Sequence, residues 1–145
     1  MKVAVVPNLT KEAAQACTNE VLDVLAGCGC ETVLKTDLFT SHGTYQEKVE
    51  DTLLSCDVFI AIGGDGTIIH TAKLAASMGK PTLGVNAGKL GFTAGVERHE
   101  LALLPNLIHG DYQEERRLML SVELSCQGHP YQFFALNDAV VSGEP

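Results

Sequence analysis

Ten residues constrain this chain more than any others: Val58-Phe-Ile-Ala-Ile-Gly-Gly-Asp-Gly-Thr67. Val58 to Ile62 is an unbroken apolar run, the pattern of a strand covered on both faces. Three glycines then fall within four positions, and the one side chain among them is the Asp65 carboxylate. Glycine lacks a Cβ, so such a turn can reach unusual backbone angles and bring its N–H groups close to a ligand. Thr67 to Ser77 follows as an expected helix, whose N-terminus adds partial positive charge at the same place. Strand, glycine turn and helix start together suit phosphate. A carboxylate is out of place in a pure phosphate cradle, so Asp65 reads as a proton acceptor, or as a partner for a hydroxyl or a metal ion. The plainer alternative is a glycine-rich turn in which Asp65 caps the helix.

The flanking segments repeat the alternation of strand and helix. Val3 to Val6 reads as a β-branched strand halted by Pro7. Thr10 is a candidate N-cap for a helix whose Ala14, Cys17, Val21 and Leu25 recur at helical spacing until Gly27. Thr32 to Leu34 is a brief strand, and Lys35 to Thr44 a polar loop containing Leu38 and Phe39. Tyr45, Val49, Leu53 and Cys56 mark another amphipathic helix, and Pro81 to Val85 a further strand. The order βαβαβαβ predicts a Rossmann-like α/β fold, a parallel sheet with helices on both faces. Ligands in such sheets bind beyond the C-terminal strand ends, where the crossovers diverge. The Asp65 turn and the loop Asn86-Ala-Gly-Lys-Leu-Gly-Phe-Thr-Ala-Gly95 both lie at such ends and can face one crevice. Leu101 to Ile108 continues as a helix that Pro105 breaks or restarts and Gly110 ends.

After Gly110 the periodicity changes. Leu118, Leu120, Val122, Leu124 and Cys126 alternate with polar residues, as in a half-buried antiparallel strand. Gln127-Gly-His-Pro130 is a turn, and Tyr131 to Leu136 the returning partner. The expected organisation is therefore an α/β domain at residues 1–110 and, at 111–145, the incomplete start of a β-rich domain in a fragment of a longer protein. The 46% hydrophobic content excludes disorder, and a net charge of −8 argues against a nucleic-acid or anionic-membrane surface. No stretch approaches the roughly 18 apolar residues of a membrane span, and the N-terminus reads as a strand rather than a signal peptide. Five cysteines without a Cys-x-x-Cys pair fit reduced thiols in the cytoplasm. The chain carries no Walker-type phosphate loop, no Gly-x-Gly-x-x-Gly after its first strand and no Gly-x-Ser-x-Gly elbow. Of its scattered histidines only His70 stands out. One turn into the helix after the glycine turn, it is either a phosphate or ribose contact or a solvated side chain.

Gly63-Gly-Asp-Gly-Thr67, Asn86-Ala-Gly-Lys-Leu-Gly-Phe92, Arg116-Arg-Leu-Met-Leu120 and Leu136-Asn-Asp138, in this order and spacing, resemble the motifs of the NAD kinase family. The glycine-Asp motif alone is shared with diacylglycerol-type lipid kinases and phosphofructokinases; the second loop and the Asn-Asp pair single out NAD kinase. The resemblance implies transfer of the γ-phosphoryl group of ATP, with Mg²⁺ or another divalent cation, to the 2′-hydroxyl of the adenosine ribose of NAD. It implies Asp65 as proton acceptor, Gly66 as a nucleotide contact, His70 as a dinucleotide contact, and Asn137 and Asp138 as the pair holding NAD. It also implies a homo-oligomer. A lipid kinase or phosphofructokinase-like enzyme, or a non-catalytic nucleotide-binding fragment, is the alternative.

Overall fold

The computed structural model describes residues 1–39, 51–88, 93–136 and 138–140. The chain divides into two compact units, Met1–Tyr112 and Gln113–Pro145, each described by itself.

In the first unit the elements follow as β1 (Lys2–Pro7), α1 (Glu12–Gly27), β2 (Glu31–Leu34), α2 (Asp51–Leu54), β3 (Val58–Gly63), α3 (Asp65–Ser77), β4 (Thr82–Asn86), β5 (Val96–Glu97), a 3₁₀ helix (Arg98–Leu103) and α4 (Leu104–His109). The strands form one parallel sheet in the order β2-β1-β3-β4-β5. Alternation within the apolar runs divides each strand between two cores. Val3, Val5, Val58, Ile60 and Ile62 pack with Cys17, Val21 and Leu25 of α1 and with Leu101, Leu104 and Leu107. Ala4, Val6 and Phe59 point the other way, against Leu53, Cys56, Leu74 and Ala75. Every residue of β3 is buried, which is why it reads as a continuous hydrophobic run. Each large side chain so covered contributes about 1.5–3 kcal/mol. The α/β sheet with helices on both faces is thus as the sequence predicts.

Sheet order locates the crevice. From β1 the chain crosses to β2 on one side, whereas from β3 it crosses to β4 on the other. The crossovers diverge between β1 and β3, and a ligand crevice opens beyond their C-terminal ends. Pro7 pairs with Ile62 there.

Local boundaries differ from expectation in instructive ways. Lys11, not Thr10, is the N-cap of α1, and it caps without a side-chain hydrogen bond. The Thr10 backbone N–H and hydroxyl instead donate to Asn8 Oδ1, at 3.2 and 2.6 Å, a local turn that competes with capping. Helix α3 starts at Asp65 rather than Thr67, with Gly64 as its N-cap. Tyr45 and Val49 of the expected second helix lie outside the described residues; Asp51–Leu54 is its described part. Within the expected loop, Lys35 and Leu38 are buried, and the Lys35 ammonium sits 2.7 Å from Asp37 Oδ1. Pro105 lies in the first turn of α4, so it restarts the helix, and Gly110 closes it in the left-handed conformation at φ 78°.

The second unit contains an antiparallel hairpin, β6 (Leu120–Cys126) and β7 (His129–Ala135). Its turn is tighter than expected. Only Gln127 and Gly128 form it, at φ 50° and 82°, the left-handed pair that suits the twist of a hairpin. His129 and Pro130 belong to β7. Leu120, Val122 and Leu124 oppose Ala135, Phe133 and Tyr131 on one face. The strand is patterned to have one face covered, and without a further sheet against it among the described residues that apolar face is open: Leu120, Leu124, Tyr131 and Phe133 are about half exposed.

Candidate active site

Asp65 is the first residue of α3, so its carboxylate complements the positive end of the helix dipole. It is not the cap: Gly64 holds that position in an extended conformation, with φ −97° and ψ −175°. Its partner comes from the loop after β4. The Thr93 backbone N–H and hydroxyl both donate to Asp65 Oδ1, at 3.1 and 2.6 Å. The same loop is tied to the glycine turn at its start, where the Ala87 N–H donates to Gly63 O at 3.1 Å. Buried Asn86 orders that start further. Its Oδ1 accepts from the Gly88 N–H at 3.1 Å, and its Nδ2 donates to Glu97 Oε2 at 2.9 Å. The two loops predicted to face one crevice are joined across it.

The glycines of the turn act differently from expectation. Gly63, Gly64 and Gly66 are not among the glycines with positive φ, which among the described residues are Gly29, Gly79, Gly110 and Gly128. Gly63 is required by space: a Cβ there would lie 2.4 Å from Thr67 Oγ1 and 2.7 Å from Thr67 Cβ. Bare Gly63 lets α3 settle directly on the end of β3. Gly66 is exposed, and a Cβ on it would meet nothing within 4 Å.

Beside the turn lies a cleft of about 280 Å³ lined by Lys11, Ala13, Ala14, Gly63, Gly64, Ala87 and Gly88. Small side chains leave backbone exposed along its walls, and the starts of α1 and α3 both border it. The Lys11 ammonium lies 3.9 Å from where a Gly64 Cβ would stand. Asn8 closes the far end of the junction. Its N–H donates to Ile62 O at 2.9 Å, and its Nδ2 donates to Thr67 Oγ1 at 3.3 Å, so the loop after β1 is stitched to α3. Two helix N-termini, exposed backbone and one ammonium favour an anion here, while the neighbouring carboxylate can accept a proton.

Three of these residues, Asn8, Lys11 and Thr93, escaped the sequence analysis. Asn8 carried a signal in the Asn-x-Thr of an Asx turn, and Lys11 is a cation at a helix start, where the dipole disfavours it. Thr93 carried none. His70, in the second turn of α3, is half-buried rather than fully solvated. Its ring meets Phe39 edge-on, with centroids 6.2 Å apart and planes at 66°. Asp138 is exposed in the second unit. Asn137, like Lys89 to Phe92, lies outside the described residues. Asp65, Gly66 and His70 therefore share one helix, and Asp138 stands in a unit described separately.

Residues 3–112 match the model of the ATP-NAD kinase N-terminal domain. Among curated relatives, the NAD kinase of Polaromonas naphthalenivorans is 30% identical over 97% of this chain and 50% of its own length. That of Caldanaerobacter subterraneus is 34% identical over 97% of this chain and 51% of its own. The NAD kinase of Heliobacterium modesticaldum is 44% identical over 66% of this chain and 34% of its own. The chain spans about half the length of the relatives that match nearly all of it.

Proposed function

This chain belongs to the ATP-NAD kinase family, and from that premise we propose that the protein transfers the γ-phosphoryl group of ATP to the 2′-hydroxyl of the adenosine ribose of NAD, yielding NADP. The observation that carries this reading is the Asp65 carboxylate, fixed at the start of α3 beside a cleft walled by backbone. Asp65 takes the hydroxyl proton as the oxygen attacks the γ-phosphorus, and the bond to the departing ADP breaks. Such transfer rests on positioning and charge neutralisation, which backbone donors, helix N-termini and Lys11 offer to phosphates. Among the described residues no group of three or more His, Cys, Asp or Glu could hold a metal ion. A divalent cation enters the reading with ATP, as the MgATP substrate. Gly66 and His70 contact the dinucleotide, and Asn137 and Asp138 hold NAD. The reading places the protein in the cytoplasm as a homo-oligomer whose ligands are nucleotides rather than nucleic acid; among the described residues no helix is long and apolar enough to cross a membrane.

Replacing Asp65 by Asn keeps the size of the side chain and removes the proton acceptor. In the full-length protein NADP formation should fall by roughly 10²–10⁴ in kcat, with NAD affinity little changed. Retained turnover would leave Asp65 a structural residue of the turn.

A further inference from the structure

Thr93 reaches Asp65 from the loop after β4, and both of its donors converge on one acceptor. The backbone N–H lies 3.1 Å and the hydroxyl 2.6 Å from Asp65 Oδ1. Two donors on one oxygen fix the rotation of a carboxylate about its Cβ–Cγ bond, and hydrogen bonds to an ionised acceptor are roughly twice as strong as neutral ones. The loop is anchored without the hydroxyl. The Ala87 N–H donates to Gly63 O at 3.1 Å, and the Gly95 N–H donates to Gly84 O at 3.0 Å. The start of α3 is likewise closed by its own backbone, the Ile68 N–H donating to Gly64 O at 3.1 Å. Orientation of the carboxylate is what the hydroxyl adds.

We propose that Thr93 is a positioning residue for proton transfer, its two donors holding the Asp65 carboxylate at the angle from which it accepts the proton of the substrate hydroxyl. The proposal rests on Asp65 being the proton acceptor. In the step concerned, the substrate O–H bond breaks and its proton passes to a carboxylate oxygen of Asp65. The alkoxide electron pair forms the new bond to phosphorus, and the electrons of the broken phosphoanhydride bond leave with ADP. A carboxylate that turns freely reaches the productive angle for only part of the time. That penalty falls on the chemical step and not on the binding of either nucleotide.

The test compares Thr93→Val, Thr93→Ser and Asp65→Asn in the full-length protein by steady-state NADP formation. Valine keeps the shape and the backbone N–H but lacks the hydroxyl, so kcat should fall roughly tenfold, as for loss of one hydrogen bond to a charged group. The KM values for NAD and ATP should stay within about twofold, and serine should restore most of the lost kcat. Should valine prevent folding, Thr93→Ala carries the same expectation. Wild-type kcat in Thr93→Val beside an inactive Asp65→Asn would overturn the positioning role and leave the proposed function standing. Lower kcat with both KM values raised, and no rescue by serine, would also overturn it, because the residue would then only shape the loop. Full turnover in Asp65→Asn would overturn the reading of the base, and this proposal with it.

Discussion

At Gly63 a hydrogen stands where a methyl group would drive into the Thr67 side chain, 2.4 Å from its hydroxyl oxygen. Thr67 cannot withdraw without cost, because it is buried and its hydroxyl accepts from Asn8 Nδ2. Gly63→Ala should therefore lower unfolding stability by about 1–3 kcal/mol, as overpacking does, through displacement of α3 from the end of β3. Chemical denaturation measures this, and an unshifted midpoint would mean that α3 can step aside. Gly63 could be singled out from sequence, but for the wrong reason: glycine spacing signals a close approach without saying whether a ligand or a helix makes it. Asp65 was legible because it is the one side chain among three glycines. Thr93 and Asn8 were not, since their partners lie 28 and 59 positions away, and a short polar residue in a loop looks the same with or without such a partner.

Elements were legible in proportion to their length and coverage. β1 and β3, buried along nearly their whole length, announce themselves as apolar runs. β5 spans only Val96–Glu97, too short for any period to register, and the 3₁₀ helix after it starts on charged residues. That helix is tied to α1 by an ion pair in which Arg98 Nε donates to Glu20 Oε2 at 3.1 Å and Nη2 donates to Oε1. The Arg98 guanidinium holds the Glu20 carboxyl below its ordinary value of 4.5. A carboxyl whose value is lower in the folded state contributes stability above its unfolded value and loses it as pH falls through the folded one. Glu20→Gln should therefore lower the melting temperature slightly at pH 7 and leave it unchanged at pH 2. Both partners are exposed, so the pH 7 difference should also vanish in about 1 M salt. Thermal melts across this pH range check it, and an equal loss at both ends would attribute the effect to packing of the side chain.

At the scale of the whole molecule, the five thiols sample every layer of the structure and allow its burial to be checked at once. Cys17 packs in the core between the sheet and α1, and Cys56 in the core on the opposite face. Cys28 and Cys30 flank the left-handed Gly29 at the end of α1 and are partly covered, while Cys126 is exposed on β6. Alkylation needs the thiolate and access to it. Burial pushes the thiols of Cys17, Cys30 and Cys56 up, which lowers their thiolate fraction as well as their accessibility. Under native conditions iodoacetamide should therefore modify Cys126 first and Cys30 more slowly. Cys17 and Cys56 should react at the rate at which the first unit unfolds, and denaturant should bring all five to a common rate. Mass spectrometry of peptides over a time course separates these classes. Native labelling of Cys17 as fast as that of Cys126 would mean that α1 does not cover its face of the sheet. The cleft that α1 helps to wall beside the glycine turn would then lose the side formed by Ala13 and Ala14.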